Sequence, residues 1–237
     1  MCGRYSFTTP VEAVRRLFGV SGGGNLAPRY NVAPTQAAAV VRLDEKTPPG
    51  RLLDHLTWGL VPSWAKDASM AARMINARAE TVAEKPAFRN AFRRRRCLVP
   101  ADGFYEWRAE GGAKQPYYIG FADRRPFAFA GLWEHWMGKD GSEILSFTIV
   151  TTEANDLLRP LHPRMPVLLE PEDHARWLDP AADAPGDLLR PYRGQGLGFH
   201  AVSRHVNNVR NDDATCIAPL PPAAAPLALP PAQGRLI

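Results

Sequence analysis

Short apolar segments separated by turn-forming residues recur along the chain. Segments rich in aliphatic and aromatic side chains and bounded by Gly, Pro, Asn or Asp are typical of strands. They predict strands at 38–43, 52–58, 97–99, 117–121, 127–131, 144–150 and 198–202. Lys139-Asp140-Gly141 predicts a hairpin turn between two of them. Because most strands follow one another as hairpins, we expect an α+β fold, a single domain with an antiparallel, partly closed, barrel-like β-sheet core flanked by short helices.

The helical signals are short and mostly begin at a proline. Thr9, Pro10 and Glu12 predict a helix start, with Thr9 as the N-cap and proline at the first helical position. Gly19 predicts the end of that helix. Further short helices are predicted after Pro86, from Thr152 to before Pro160, and at 172–178.

Composition places the chain among ordinary globular proteins, with 237 residues of which 45% are hydrophobic and 22% charged. The three cysteines, Cys2, Cys97 and Cys216, form no C-x-x-C pair, which argues against a disulfide framework or a zinc site and for a reducing compartment. Neither a membrane-spanning apolar run nor a signal-peptide pattern is present, so we expect a cytoplasmic protein. Pro and Ala dominate from about Pro219, which predicts a domain over 1–218 and a tail over 219–237.

The charge changes this picture, because the net charge is +5 and arginine supplies most of the cations. The planar guanidinium fork suits phosphate better than a lysine does, so a polyanionic partner is plausible. Arg93-Arg94-Arg95-Arg96 is interpreted as a solvated helix end leading into the strand at 97–99. Contact with phosphates is the alternative for this run.

The first five residues, Met1-Cys2-Gly3-Arg4-Tyr5, hold the most specific chemistry. If Met1 is removed, Cys2 carries a thiol and a free α-amine on adjacent carbons. An α-amine titrates near pH 8 and a lysine near pH 10.4, so this amine is a usable nucleophile at neutral pH. It can condense with an aldehyde, and the thiol can then close a five-membered thiazolidine.

Three further segments hold polar residues suited to acid–base or positioning roles. Asn76 and Arg78 share one side of the segment if it is extended, since side chains there alternate. Glu106 lies between two aromatic residues, where desolvation raises a carboxyl pKa. His162 is flanked by prolines and is suited to shuttling a proton. Taken singly, each is better explained structurally, as a turn-capping Asn, an edge-strand Glu and a satisfied loop His.

Together these segments resemble one protein family. The matching segments appear in the family's order over roughly residues 2–218, and they are Met1–Tyr5, Tyr30–Pro34, Trp58–Pro62, Ile75–Thr81, Cys97–Trp107, Phe129–Trp133, His162–Pro166 and Val202–Ser203. They are similar to the SRAP (SOS-response-associated peptidase) family. The resemblance implies a monomeric protein that captures abasic sites in single-stranded DNA covalently and is nucleoid-associated when it does so.

The resemblance also assigns roles to individual residues. It implies Cys2 as the crosslinking nucleophile after autoproteolytic, peptidase-like removal of Met1, and Asn76, Glu106 and His162 as its pocket partners. It makes Arg4, Arg78 and Arg164 phosphate contacts, and it implies a lyase-type activity but neither a cofactor nor a metal. Trp64 either stacks on a base at a single-strand/double-strand junction or packs into the core, and Ala65 stands where some relatives carry a second aromatic residue.

Two other functions use the same residues. An N-terminal-nucleophile amidase or cysteine peptidase acting in trans would use Cys2, with His162 as acid and base and Asn76 as an oxyanion donor. The arginines and the aromatic loop Trp58–Trp64 disfavour it, because a peptide substrate does not need them. The other alternative is a non-catalytic single-stranded DNA-binding protein, whose affinity would fall with salt.

Overall fold

A computed structural model describes residues 2–21, 26–44, 50–183 and 185–221, and its strands and helices have the following bounds. The strands are β1 Tyr5–Phe7, β2 Val20–Ser21, β3 Arg29–Val32, β4 Ala37–Leu43, β5 Arg51–Trp58, β6 Asn76–Arg78, β7 Arg96–Ala101, β8 Gly103–Glu110, β9 Ala113–Phe121, β10 Phe127–Met137, β11 Glu143–Glu153, β12 Arg164–Pro166, β13 Leu168–Leu169 and β14 Leu197–Ala201. The α-helices are α1 Val11–Phe18, α2 Arg89–Arg94 and α3 His174–Leu178.

Five of the strands close into a barrel. β5, β4, β7, β10 and β11 pair antiparallel in that order. A parallel pairing of β5 with β11, which sets Ser146 against Thr57 and Phe147 against Trp58, completes the ring. Trp58 and Phe147 are fully buried and stack with their centroids 6.2 Å apart. The predicted α+β barrel-like core is confirmed. Four successive antiparallel pairings leave β11 running in the same direction as β5, so the pair that closes the ring is parallel.

A second sheet lies beside the barrel and carries the N-terminus. Its strand order is β14-β9-β8-β1-β3, so β1 is paired on one side with β8 and on the other with β3. Tyr5 of β1 lies opposite Phe104 of β8 and Val32 of β3, and its ring packs edge-on against Trp58 of the barrel at 5.3 Å. The start of the chain is therefore fixed between the two sheets.

Two predicted helix features are wrong, for tertiary reasons. Thr9 does not cap α1, because its hydroxyl binds the carboxylate of Asp102 and the residue before the helix is Pro10. No helix forms from Thr152 to Pro160, because β11 continues to Glu153 and pairs there with β12. The predicted helix at 172–178 is a 3₁₀ turn, Pro171–Asp173, followed by α3.

The arginine run is only partly a solvated helix end. Arg93 and Arg94 are exposed, as predicted. Arg95 forms an ion pair with buried Glu134, with Nη2 2.6 Å from Oε1. Arg96 is buried and its guanidinium donates to backbone carbonyls at the C-terminal ends of α2 and α3, those of Phe92, Arg93, Trp177 and Asp179. Carbonyls at helix ends lack intrahelical partners, so the cation satisfies them from inside.

Two further expectations concern the membrane and the tail. Among the described residues there is no helix of the length and apolar character that crossing a bilayer requires. The predicted tail enters the described part of the chain only over 219–221, where the Leu220 N–H donates to the Ala201 carbonyl at 2.9 Å. Its remainder, residues 222–237, lies outside the described residues.

Candidate active site

Cys2 lies at the inner end of the N-terminal segment, where it is fully buried. The Asn76 side chain reaches it directly, since Nδ2 donates to the Cys2 carbonyl oxygen at 2.8 Å. Asn76 is placed by β6, which pairs with β11 so that Asn76 lies opposite Ile149 and Arg78 opposite Thr151. Ala77 between them is buried, so the predicted alternation along this segment is confirmed.

Glu106 enters from β8 and is nearly buried, at 5% exposure. Burial raises the pKa of its carboxyl to about 7, so near neutral pH it is present both as acid and as base. Burial, followed by the negative charge of Glu106, raises the pKa of the Cys2 thiol well above its usual range. The carboxyl and the thiol are therefore electrostatically coupled, and the thiol is protonated in the resting protein.

His162 is held by the turn that precedes β12. Its ring nitrogen Nδ1 lies 3.0 Å from the Arg164 N–H, which donates to it, and 3.2 Å from the Arg164 carbonyl oxygen. Burial lowers the pKa of His162, so the ring is neutral at pH 7. With Nδ1 accepting a hydrogen bond, the assigned tautomer carries its proton on Nε2. Protonation would let Nδ1 donate to the carbonyl instead.

An open cavity of about 460 Å³ joins two of these residues, since both Glu106 and His162 line it. Arg4, Trp107, Lys114 and Asn207 complete its wall. Sequence reasoning did not select Trp107, Lys114 or Asn207. Trp107 directly follows Glu106 and could have been found from that position, whereas Asn207 and Lys114 come from distant segments without a local signal.

Arg4 fastens the cavity wall to the N-terminal strand. Its Nη1 donates to Asn31 Oδ1 and to the Val206 carbonyl, both at 2.8 Å, and Nη2 donates to the Asn207 carbonyl at 3.3 Å. Burial lowers the pKa of the Arg4 guanidinium. Three of its donors are thus engaged within the protein, and the residue positions the wall as well as lining the cavity.

The other predicted DNA contacts, Arg164, Arg78 and Trp64, differ in how far their side chains are bonded within the protein. Arg164 is paired with Glu80 through two bonds, at 2.6 and 3.0 Å, and also donates to the Thr151 carbonyl at 2.7 Å. Arg78 is exposed. Trp64 is 56% exposed and its Nε1 donates to the Pro86 carbonyl at 3.3 Å, so the core-packing alternative for this residue is wrong.

The loop that carries Trp64 has a fixed start. A Cβ at Gly59, whose φ is +132°, would lie 2.6 Å from the Ala71 carbonyl oxygen, so a side chain there would collide with backbone. At the other end, Trp136 Nε1 donates to the Ala65 carbonyl at 2.8 Å. The close packing at Gly59 and the hydrogen bond from Trp136 therefore fix the loop near both of its ends.

One group of metal-ligand side chains occurs among the described residues, and it lies outside the cavity wall. His205, Asp213 and Cys216 have ligand atoms within 4.8 Å of one another. Within this group, His205 Nε2 is already 2.9 Å from Asp213 Oδ2. The cavity wall offers a carboxyl, Glu106, and an imidazole, His162, for proton transfer, whereas Cys2 and Asn76 are not part of its lining.

The chain is similar to known proteins over most of its length. The model of the family described as "SOS response associated peptidase (SRAP)" matches residues 1–209. The Bacillus subtilis protein named abasic site processing protein YoqW is 38% identical over 224 residues, which cover 92% of this chain and 99% of that protein. Abasic site processing protein HMCES of Gallus gallus is 34% identical over 83% of this chain and 68% of that protein.

Solved structures show the same fold. A crystal structure of a protein from Bacteroides thetaiotaomicron superposes with a TM-score of 0.83 at 28% identity, over 92% of this chain and 100% of the other. A second, from Bordetella bronchiseptica, gives a TM-score of 0.74 at 29% identity over 85% of this chain and 100% of the other.

Proposed function

Because the chain belongs to the SOS response associated peptidase (SRAP) family, and relatives similar over nearly its full length are abasic site processing proteins, we propose that it processes abasic sites in DNA. We further propose that it captures the lesion covalently, in single-stranded DNA, through Cys2 after Met1 has been removed. Met1 has to be removed first, since an acylated amine cannot condense with an aldehyde. The proposal includes removal of Met1 by the protein's own pocket.

The single observation that carries the proposal is the placement of residue 2. Asn76 Nδ2 holds the Cys2 carbonyl at 2.8 Å, beside a carboxyl whose pKa is raised to about 7. A cysteine that merely packed in a core would not need a buried amide and a titrating carboxyl around it. The arrangement instead supplies a fixed nucleophile with a proton donor and acceptor next to it.

The reaction begins with the open-chain form of the abasic sugar, which exposes an aldehyde at C1′. Ring opening moves a proton to the ring oxygen, a task for the neutral imidazole of His162 and for Glu106 at the same cavity. The Cys2 amine then adds to C1′, forming a C–N bond and placing a proton on the former carbonyl oxygen. Protonation of that hydroxyl by Glu106 releases water and leaves an iminium.

The thiol acts second, because its raised pKa keeps it protonated until a base approaches. Glu106, now a carboxylate, accepts the thiol proton as sulfur attacks the iminium carbon. The C–S bond closes the thiazolidine and the nitrogen keeps its remaining proton. Since the iminium has been consumed, the neighbouring C–H is no longer acidified and β-elimination of the strand is blocked.

The DNA contacts follow from the exposed groups around the cavity. Exposed Arg78 is free to meet a phosphate beside the lesion, and Arg4 lines the cavity itself. Arg164 would contact phosphate only by exchanging its Glu80 partner. Trp64, with 56% of its surface exposed, can stack on a base at a single-strand/double-strand junction.

The test combines intact-protein mass spectrometry with a denaturing gel. The protein is incubated with single-stranded DNA containing one abasic site. We expect a heat-stable adduct whose mass equals protein lacking Met1 plus DNA minus one water. Cys2→Ala, and a protein with extra residues before Cys2, should form none. An adduct with either variant would refute the proposal, and peptide hydrolysis without DNA would favour a peptidase.

A further inference from the structure

The proposed mechanism leaves part of the arginine run without a role. Arg95 and Arg96 are occupied, the first by Glu134 and the second by backbone carbonyls. Arg89 and Arg93, together with Lys85, are exposed and make no ion pair or side-chain hydrogen bond to any described residue. These three residues, here named the cationic row, carry charge that the fold does not use.

The cationic row lies on one side of a helical turn. The Arg89 N–H donates to the Lys85 carbonyl at 2.9 Å, so the helical hydrogen bonding begins at Lys85 and continues into α2. Arg89 and Arg93 are four residues apart in α2, on neighbouring turns about 6 Å apart along the axis, and Lys85 lies one hydrogen-bonded turn before the helix. The opposite side of the helix is buried in the core through Phe88, Ala91 and Phe92.

The row is linked to Trp64 on one side and, through β6, to Asn76 of the candidate active site on the other. Trp64 Nε1 binds the Pro86 carbonyl, so the exposed indole lies against the start of the row. On the other route, β6 leads from Asn76 through Arg78 into two tight turns. In these turns the Thr81 N–H donates to the Arg78 carbonyl at 3.1 Å and the Lys85 N–H to the Thr81 carbonyl at 3.0 Å.

A polar depression marks the far end of the row. Asn90, Arg93, Arg94 and Arg95 line a cavity of about 260 Å³. The charge of Arg95 is balanced by Glu134, whereas Arg93 and Arg94 keep theirs. Guanidinium forks bind phosphate oxygens in pairs, and an amide such as Asn90 adds a neutral donor.

We propose that Lys85, Arg89 and Arg93 bind the sugar-phosphate backbone of the DNA that flanks the lesion beyond Trp64. This inference rests on the proposed function, since it extends the same DNA path outward from the pocket. Regularly spaced cations beside an exposed aromatic ring match a strand whose phosphates repeat while its bases stack. An acidic peptide would also be attracted by the charge but would not need the adjoining indole.

The experiment measures binding rather than chemistry. Fluorescence anisotropy follows the affinity of Arg89→Ala/Arg93→Ala for undamaged single-stranded DNA across a range of salt concentrations. The matched control is Arg159→Ala/Arg176→Ala, which also removes two exposed arginines and two positive charges. A short oligonucleotide covering only the pocket is compared with longer ones extended on one side at a time.

We expect the row variant to reduce the slope of log affinity against log salt by about 1.4 on long DNA, since each phosphate contact to a single strand contributes about 0.7. Short DNA should bind the row variant and wild type equally. Arg89→Lys/Arg93→Lys should retain most of the slope. Equal slopes for the row variant and the control on long DNA would overturn the inference, as would a loss that is the same for short DNA.

The outcome separates the two proposals. If wild type forms no adduct with abasic DNA while the row variant still lowers the slope, the proposed chemistry fails and the binding row stands. If wild type forms the adduct and the slopes are equal, the chemistry stands and the row is wrong. Thermal melting of each variant checks that these exposed substitutions leave the fold intact.

Discussion

Two cavities of nearly equal size contain a histidine, but their linings differ in polarity. The polar cavity, about 460 Å³, is lined by His162 together with Glu106. The apolar cavity, about 450 Å³, is lined by His174 among residues such as Phe127 and Leu168. Burial lowers the pKa of both histidines, that of His174 to about 4. Volume and a perturbed histidine therefore do not by themselves identify a site.

The two cavities differ in whether the histidine is accessible and has a titrating carboxyl in the same lining. His174 is 2% exposed and stacks on Phe18 with centroids 5.4 Å apart, so it acts as a flat packing element. His162 is half-buried, its Nδ1 is fixed by the Arg164 backbone, and a titrating carboxyl lines the same cavity. The comparison teaches that a proton-transfer site needs a partner whose pKa lies near the working pH.

Glu106→Gln should produce the largest change, because it removes that partner while preserving its shape. We expect adduct formation to slow by roughly 10²–10⁴-fold, the usual contribution of a positioned acid and base. Wild-type rates should vary most steeply near pH 7, where the Glu106 carboxyl titrates, and the variant should lose that dependence. Single-turnover crosslinking on a denaturing gel, repeated across neutral pH, measures both effects.

The stability of the same variant provides the control. The pKa of Glu106 rises from 4.5 to about 7 on folding, so the carboxyl is destabilising when the pH exceeds 4.5 and reaches its full cost above pH 7. Glu106→Gln should therefore stabilise the protein by on the order of 2–3 kcal/mol at pH 8 and hardly at all at pH 4. A pH-independent difference in urea unfolding would contradict this assignment.

The two histidines should respond in opposite ways when replaced. His162→Ala should slow adduct formation by about 10²-fold with little change in unfolding free energy. His174→Ala should cost about 2–4 kcal/mol of stability, through lost packing on Phe18, and leave the crosslinking rate of the folded protein unchanged. Parallel unfolding and crosslinking measurements test this. A slow His174→Ala protein of normal stability would break the distinction between the cavities.

Arg78→Ala should have the smallest effect and act on binding alone. Loss of one phosphate contact should weaken single-stranded DNA binding by about fivefold and lower the salt slope by about 0.7. The crosslinking rate at saturating DNA should stay within about twofold of wild type, because Arg78 does not line the cavity. Arg159→Ala serves as the control. Equal losses of rate in Arg78→Ala and Glu106→Gln would mean that binding and chemistry are not separable here.

Local patterns predicted the parts of the molecule that depend on local physics. The alternation that set Asn76 and Arg78 on one side of β6, and the hairpin turn before β11, are both present. The raised pKa of Glu106 has the predicted direction, and desolvation by burial is its largest cause. Two of the five pairings in the barrel, β4 with β5 and β10 with β11, are hairpins of the predicted kind, and the other three join strands that are distant in sequence.

The failures involve partners that are distant in sequence. Thr9 was a good N-cap by pattern, but Asp102, 93 residues away, competes for its hydroxyl. Arg95 and Arg96 were predicted to be solvated, but Arg95 pairs with Glu134 and Arg96 binds carbonyls at the ends of two helices. Asn207 is held in the cavity wall by Arg4, which binds its carbonyl, and by Trp107, whose Nε1 donates to its side-chain oxygen at 2.8 Å. None of these contacts leaves a signal in a short window of sequence.

The hydrogen bonds that Arg4 donates to Val206 and Asn207 have a consequence for biosynthesis. Arg4 binds carbonyls that lie 202 and 203 residues further along the chain, so the wall beside Cys2 is assembled only after almost all of the domain has been translated. The N-terminal segment that contains Cys2 leaves the ribosome early, before the segments that surround it in the folded protein have been made. Nascent chains stalled before residue 204 should therefore be unable to react selectively, which couples the onset of reactivity to completion of the fold.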